Sequence, residues 1–178
     1  MMRKILFAFC FIVISFSANA SCKFGIELGD NISEFGDKYG PAEPSLFDGM
    51  SFLVVGAEEI CPNENLEEII VEFRFIENKL AAINLIALNG AENLVSNKLT
   101  LMRYVKRVYG QFDSGDNPKA YVGYELYRKP NFFVVYQRMV GEDKIINEEI
   151  YISNAEQDEK MSAIYQKWEE GVEKENNN

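Results

Sequence analysis

The sequence predicts an α+β protein, an antiparallel β-meander sheet packed by two or three helices, and three observations carry that expectation. In residues 67–88, EEIIVEFRFIENKLAAINLIAL, Ile69, Val71, Phe73 and Phe75 alternate with Glu68, Ile70, Glu72 and Arg74, the period of a half-buried strand, and the chain turns back at 77–79. Three more strand-like runs, at 120–128, 131–140 and 144–153, follow one another through links of a few residues. Parallel neighbours need a crossover of a dozen residues or more, so these links predict antiparallel pairing. Helical stretches stand before, between and after the strands, at 24–40, 96–110 and 154–171.

The chain opens Met-Met-Arg-Lys, continues with the uncharged run ILFAFCFIVISFS, and reaches Ala18-Asn19-Ala20, the small-x-small pattern after which signal peptidase cuts. Residues 1–20 therefore read as a signal peptide, with cleavage near Ala20-Ser21 and a periplasmic or secreted destination. The run is shorter than the roughly 18 apolar residues of a membrane span, and no later segment qualifies, so no transmembrane anchor is expected after processing. Residues 21–171 are expected to form one α+β domain, with halves at 21–90 and 91–171, and 172–178 a disordered tail.

Loss of residues 1–20 removes Arg3 and Lys4 and no acid, leaving 16 basic residues against 28 acidic ones, a net charge of −12. Nucleic-acid affinity rests on Lys and Arg neutralising phosphates, so no nucleic-acid partner is expected. Solubility outside the cytoplasm is one reading of the acidity; attraction of a basic protein partner is the other. The chain has no histidine, which removes Ser-His-acid and Cys-His nucleophiles, imidazole proton shuttles and histidine-ligated zinc.

Taken in order, Ile32, Phe35 and Tyr39 fall at i, i+3, i+7 of a short helix, with Asp30 or Asn31 as N-cap and Gly40-Pro41 as its stop. MSFLVVG at 50–56 suits a buried strand. After the hairpin, SNKLTLMRYVKRVYG at 96–110 places Leu99, Met102, Val105 and Tyr109 at helical spacing between Ser96 as N-cap and Gly110 as stop. Its Lys98, Arg103, Lys106 and Arg107 read as a charged outer face, or as a dock for an acidic partner. Asn154 is expected to cap a closing helix whose stripe is Met161, Ile164, Tyr165 and Trp168 and which Gly171 ends. Tyr39-Gly40 and Tyr109-Gly110 end two helices 70 residues apart. A diverged duplication of a helix-plus-meander unit would leave that spacing; so would two ordinary glycine stops.

Residues 26–44, IELGDNISEFGDKYGPAEP, resemble the opening of small envelope proteins related to SmpA/OmlA, the BamE-like group, and of β-lactamase-inhibitor-like domains. Gly29, Asp30, Glu34, Phe35, Gly40 and Pro41 carry the likeness, and VEFRFIENKLAAI continues it as strand, turn, strand, within residues 26–88. A lipoprotein of that group carries Leu or a similar residue three before its modified cysteine, where this chain has Asn19. The resemblance implies a binding or scaffolding role in the envelope without a lipid anchor, and it carries over no catalytic residue.

Cys10 lies in the signal segment, so Cys22 and Cys61 remain after processing. Two cysteines in an exported chain usually pair, and closing a loop of about 40 residues stabilises a fold by roughly 4 kcal/mol. A free thiol or a lipidated Cys22 are the alternatives. DSGDN at 113–117 looks like part of a calcium loop, but Tyr124 stands where the twelfth ligand belongs, and no metal or cofactor is expected. Paired acids at Glu58-Glu59, Glu67-Glu68, Glu148-Glu149 and Glu169-Glu170 read as solvated faces, since strand neighbours point to opposite sides. Tyr121 and Tyr127 share one face of their strand and Tyr124 lies on the other, so both faces carry tyrosine. One should pack on helices, and Tyr121, Tyr124, Tyr127 and Tyr136 are the candidates for a tyrosine-rich binding surface on the other, with core packing the competing reading.

These features favour a non-enzymatic exported protein that binds a protein partner in the bacterial envelope, as an inhibitor or immunity-type factor. An outer-membrane assembly or scaffold factor is the alternative, resting on the resemblance alone. A carboxylate-dependent hydrolase is the third class, and it requires two acids from different strands to converge in one cleft.

Overall fold

A computed structural model describes residues 27–88, 99–112, 123–142 and 144–176. The elements run α1 (Ile32–Tyr39), β1 (Glu43–Pro44), β2 (Met50–Gly56), α2 (Ala57–Ile60), β3 (Ile69–Ile76), β4 (Lys79–Ala87), α3 (Thr100–Tyr109), β5 (Gly123–Arg128), β6 (Phe133–Val140), β7 (Ile146–Ser153) and α4 (Ala155–Asn176). The strands form one open antiparallel sheet in the order β1-β2-β3-β4-β7-β6-β5. The α+β meander architecture is therefore present. Each half supplies a helix and a meander, and the two meanders join through their last strands, β4 and β7.

The β3–β4 hairpin turns through Glu77 and Asn78, both at positive φ, the geometry that matches the twist of paired strands. The start of α1 is pinned to this turn: Gly29 N–H donates to Leu80 O at 2.8 Å, Leu80 N–H to Asp30 O at 2.9 Å and Ile32 N–H to Asn78 O at 2.9 Å. Asn31 caps α1 through a bond from Ser33 N–H, and Gly40, at φ 97°, ends it. The helix thus lies where Phe35 meets Phe73 and Phe75, with ring centroids 5.0 and 5.1 Å apart.

The two faces of the sheet follow from register. One carries the rows Leu53–Phe73–Ile83–Ile152–Val134–Tyr127 and Val55–Val71–Leu85–Ile150–Tyr136–Glu125. This inner face packs against α1, α2 and α3 in the main core. The stripe that α3 buries is Leu101, Tyr104 and Val105, with Met102, Val108 and Tyr109 partly buried beside it. It is rotated from the expected Leu99–Met102–Val105–Tyr109 face, because Tyr104 turns inward rather than outward.

No side chain of its own caps α3, whose N-cap residue is Leu99; Ser96 lies outside the described residues. The acceptor comes from β7. Glu148, fully buried, takes the Leu101 N–H on Oε2 at 3.2 Å and the Met102 N–H on Oε1 at 3.0 Å, and Tyr136 Oη donates to Oε1 at 2.9 Å. Reading Glu148 as a solvated acid is thus corrected: it is an anion at the positive end of a helix, paid for by three donors. Its sequence neighbour Glu149 does point to the other face, as strand alternation requires.

The closing helix also departs from expectation. Asn154 caps it, accepting from Gln157 N–H at 2.9 Å, but Gly171 does not stop it, and α4 runs through to Asn176. Residues 172–176 are helical, not a disordered tail. A glycine inside a helix costs about 1 kcal/mol relative to Ala, which leaves the helix intact here. Among the described residues no helix is long and apolar enough to cross a membrane.

Removing the Glu148 carboxylate strands three donors in the interior. Glu148→Ala is expected to cost about 3–5 kcal/mol in urea denaturation, and Glu148→Gln less, because its amide oxygen keeps one acceptor. A loss below about 1 kcal/mol for the alanine variant would show that α3 docks without this cap.

Burial pushes the phenols of Tyr104 and Tyr136 far above the ordinary value of 10.0, with the Glu148 charge adding to Tyr136, and pushes Tyr109 up to about 12. These groups stay neutral in the folded chain while the unfolded chain ionises near its ordinary value. Their contribution is full below about pH 10 and is lost as pH rises through Tyr109's value of about 12. Urea midpoints are expected to fall over that window, with phenolate absorbance from Tyr104 and Tyr136 arriving only on unfolding.

Candidate functional site

The outer face of the sheet is built from the alternate residues of the same strands, and α4 crosses one end of it. Successive turns of α4 meet β7, β4, β3 and the β1–β2 turn. Tyr151 Oη donates to Asp158 at 2.8 Å; Met161 packs with Met50, Ile76, Ala81 and Ala82; Arg74 Nη1 donates to Tyr165 Oη at 3.3 Å; and Phe47 meets the Tyr165 and Trp168 rings at 4.7 and 5.3 Å. The expected stripe Met161, Ile164, Tyr165 and Trp168 is the packing face, although Trp168 remains 43% exposed.

Polar groups line the floor along one flank of α4. Glu72 accepts from Arg74 Nε at 2.6 Å. Burial works to lower the Arg74 pKa, but the hydrogen bond and charge of Glu72 outweigh it and hold the guanidinium above its ordinary value. Burial, followed by the bond to Asp158, pushes the Tyr151 phenol well up. These groups are engaged in holding α4 to the sheet and are poor candidates for chemistry.

From that polar line outward, no described residue covers the face. Its rows are Val54–Glu72–Asn84–Tyr151–Val135–Leu126 and Gly56–Ile70–Ile86–Glu149–Gln137–Tyr124, followed by Asn147–Met139. Val54, Met139 and Tyr124 are exposed, Tyr124 at 71%, and Ile70, Ile86, Leu126 and Val135 are partly so. These apolar residues form two clusters, Val54 with Ile70 and Ile86, and Val135 with Leu126, Met139 and Tyr124, on either side of Asn147, Glu149 and Gln137; exposed apolar clusters of this kind mark contact sites. At the β5 end it opens into a cavity of about 640 Å³ between Leu126, Arg128, Phe133 and the first residues of α4.

The four candidate tyrosines separate. Tyr124 lies on the open face, and Tyr121 lies outside the described residues. Tyr127 and Tyr136 are 0% exposed, and their place in a binding surface is corrected: they face α3 and stack around Phe112, with centroids 4.8 and 6.0 Å away. The residues sequence reasoning missed here are aliphatic, Val54, Ile70, Ile86, Leu126, Val135 and Met139. Their signal is the apolar residue on the second side of strands already apolar on the first.

The basic residues of α3 are held within the molecule. Arg107 bonds Glu64 and stands 5.8 Å from the Tyr104 ring centroid, Lys106 lies 5.4 Å from that of Phe112, and Arg103 reaches Thr100. Lys98 and the DSGDN segment lie outside the described residues. Cys61 is buried and disulfide-bonded; Cys22, its expected partner, lies outside the described residues. Among the described residues no group of three His, Cys, Asp or Glu side chains is placed to hold a metal ion.

Comparison with protein-family models, curated proteins and solved structures finds no match for this chain.

The two kinds of tyrosine predict opposite responses. Tyr124→Ser is expected to change stability by no more than about 0.5 kcal/mol, whereas Tyr136→Ala removes a core ring and a partner of Glu148 and should cost about 3–5 kcal/mol. Thermal melts of the two variants check this; equal losses would place Tyr124 in a packed environment.

Proposed function

We propose that the chain is an exported, non-enzymatic protein-binding module of the bacterial envelope, of inhibitor or immunity type, whose partner is a basic protein. The observation that carries this reading is the pair of apolar clusters on the outer face that no described residue covers, with Tyr124 at the edge, on a chain of net charge −10. Interface cores favour tyrosine, methionine and aliphatic side chains, and an acidic surround raises the encounter rate with a cationic partner. Removal of residues 1–20 and a Cys22–Cys61 bridge belong to the same reading, because both suit an oxidising compartment outside the cytoplasm.

The experiment is capture from a periplasmic extract on the immobilised chain, at low and at moderate salt, with Tyr124→Asp as the control surface. A protein retained by the wild type and lost with the variant is the expected result. Retention of nothing above background at either salt, or retention indifferent to the variant, would count against the proposal.

A further inference from the structure

The inner face of the sheet is covered by α1, α2 and α3, whereas among the described residues the outer face is crossed by α4 alone. The uncovered part spans β2 to β5, five interstrand steps, or about 24 Å. That is the length of about 16 residues of α-helix. Across it, from the Val54 row to Met139, is four residues along a strand, about 13 Å, and a helix with its side chains is about 10 Å wide. The space beside α4 therefore has the dimensions of one more helix.

Its chemistry is equally defined. The floor carries two apolar clusters, Val54 with Ile70 and Ile86, and Val135 with Leu126, Met139 and Tyr124, with Asn147, Glu149 and Gln137 between them. Among the described residues, the rim opposite α4 is formed by the strand ends and carries Glu58, Glu59, Glu67, Glu68 and Glu142 against Lys144, all exposed. Glu149 adds a further acid to the floor. A strand laid across this floor would find no backbone partner beneath it, because β3, β4, β7 and β6 are paired on both sides and β5, the edge strand, only borders the face.

We infer that this space receives an amphipathic helix of the partner protein, lying alongside α4 with its apolar stripe on Val54, Ile86, Val135 and Tyr124 and with Lys or Arg along the flank that meets the glutamate rim. The inference rests on the reading of the outer face as a binding surface and specifies its occupant. Helix-in-groove recognition reads anchors at i, i+3, i+4 and i+7, and the acidic rim selects against helices whose flanks are acidic.

The probe is a labelled peptide of about 18 leucines and lysines with leucine at helical spacing, titrated against the full chain by fluorescence anisotropy and circular dichroism. Two control peptides accompany it: the same composition in strict alternation, and a helical leucine–glutamate peptide. The helical lysine peptide is expected to bind at least about tenfold more tightly than either control and to gain helicity on binding. Val54→Asp and, separately, Met139→Glu should weaken it by about tenfold, with melting curves confirming that both variants fold. Equal binding of the alternating peptide, or binding indifferent to both floor variants, overturns the inference, because attraction would then be diffuse charge. A dimer of the chain that Val54→Asp dissociates also overturns it, since a second copy would occupy the face. If an extract protein is captured in a Tyr124-dependent way while the helical peptide fails, the helical occupant is wrong and the binding surface stands; if capture also ignores Tyr124, both fall.

Discussion

The pairing of β4 with β7 is the constraint on which the rest of the molecule depends. Each half of the chain ends its meander on a strand that has a neighbour on only one side within its own half, and each such strand is apolar on the inner face: Leu80, Ile83 and Leu85 on β4, Ile150 and Ile152 on β7. Alone, either meander would leave that strand as a long hydrophobic edge, the arrangement that templates aggregation. Joined, they place both edges at the centre and push short or charged strands outward: two-residue β1 at one side, β5 with Glu125 and Arg128 at the other. The inner rows then run unbroken across six strands, and the helices of both halves share one core.

The same pairing explains why a buried carboxylate is tolerated. Glu148 sits on β7 where the inner face passes from the first half to the second, opposite Arg138 of β6. An isolated carboxylate there would cost several kcal/mol. With two helix N–H groups and the Tyr136 hydroxyl it becomes the point at which α3 is fixed in rotation and translation over the sheet. The connection is between residues 46 or 47 positions apart, so it couples the docking of α3 to completion of the last strand. A meander with β7 unformed would leave the first turn of α3 without its acceptor.

Much of the fold was legible because alternation and short links are local signals. The β3–β4 hairpin, the cap at Asn31 and the antiparallel order of the last three strands follow from residues close in sequence. Where reasoning failed, the missing information was non-local. Glu148 reads as solvent-facing until a helix amide from elsewhere is put against it. Tyr127 and Tyr136 could belong to either side, since β6 is apolar on both: Val134 and Tyr136 inward, Phe133, Val135 and Met139 outward. Only the placement of α3 on one side decides which set is core. The run past Gly171 likewise has no local signal, because an exposed glycine in a long helix is a small penalty rather than a stop.

That two-sided apolarity is also the strongest argument about the outer face. A sheet with one solvated side normally alternates cleanly between apolar and polar residues, and strand β7 does so, with Asn147, Glu149 and Tyr151 facing out. Its neighbours do not: β6 places Phe133, Val135 and Met139 outward, β4 places Ile86, β3 places Ile70 and β2 places Val54. Near α4 this excess is accounted for, since Phe133 stacks on Tyr151 and Ile76 packs under Met161. Away from α4 no such account exists within the described residues, yet apolar residues stand outward on both sides of the polar positions of β7. Chance exposure of single aliphatic residues is ordinary on protein surfaces. Their grouping into one cluster on β2, β3 and β4 and another on β6 and β5 is not, and it is what a surface shaped to be covered by something else would present.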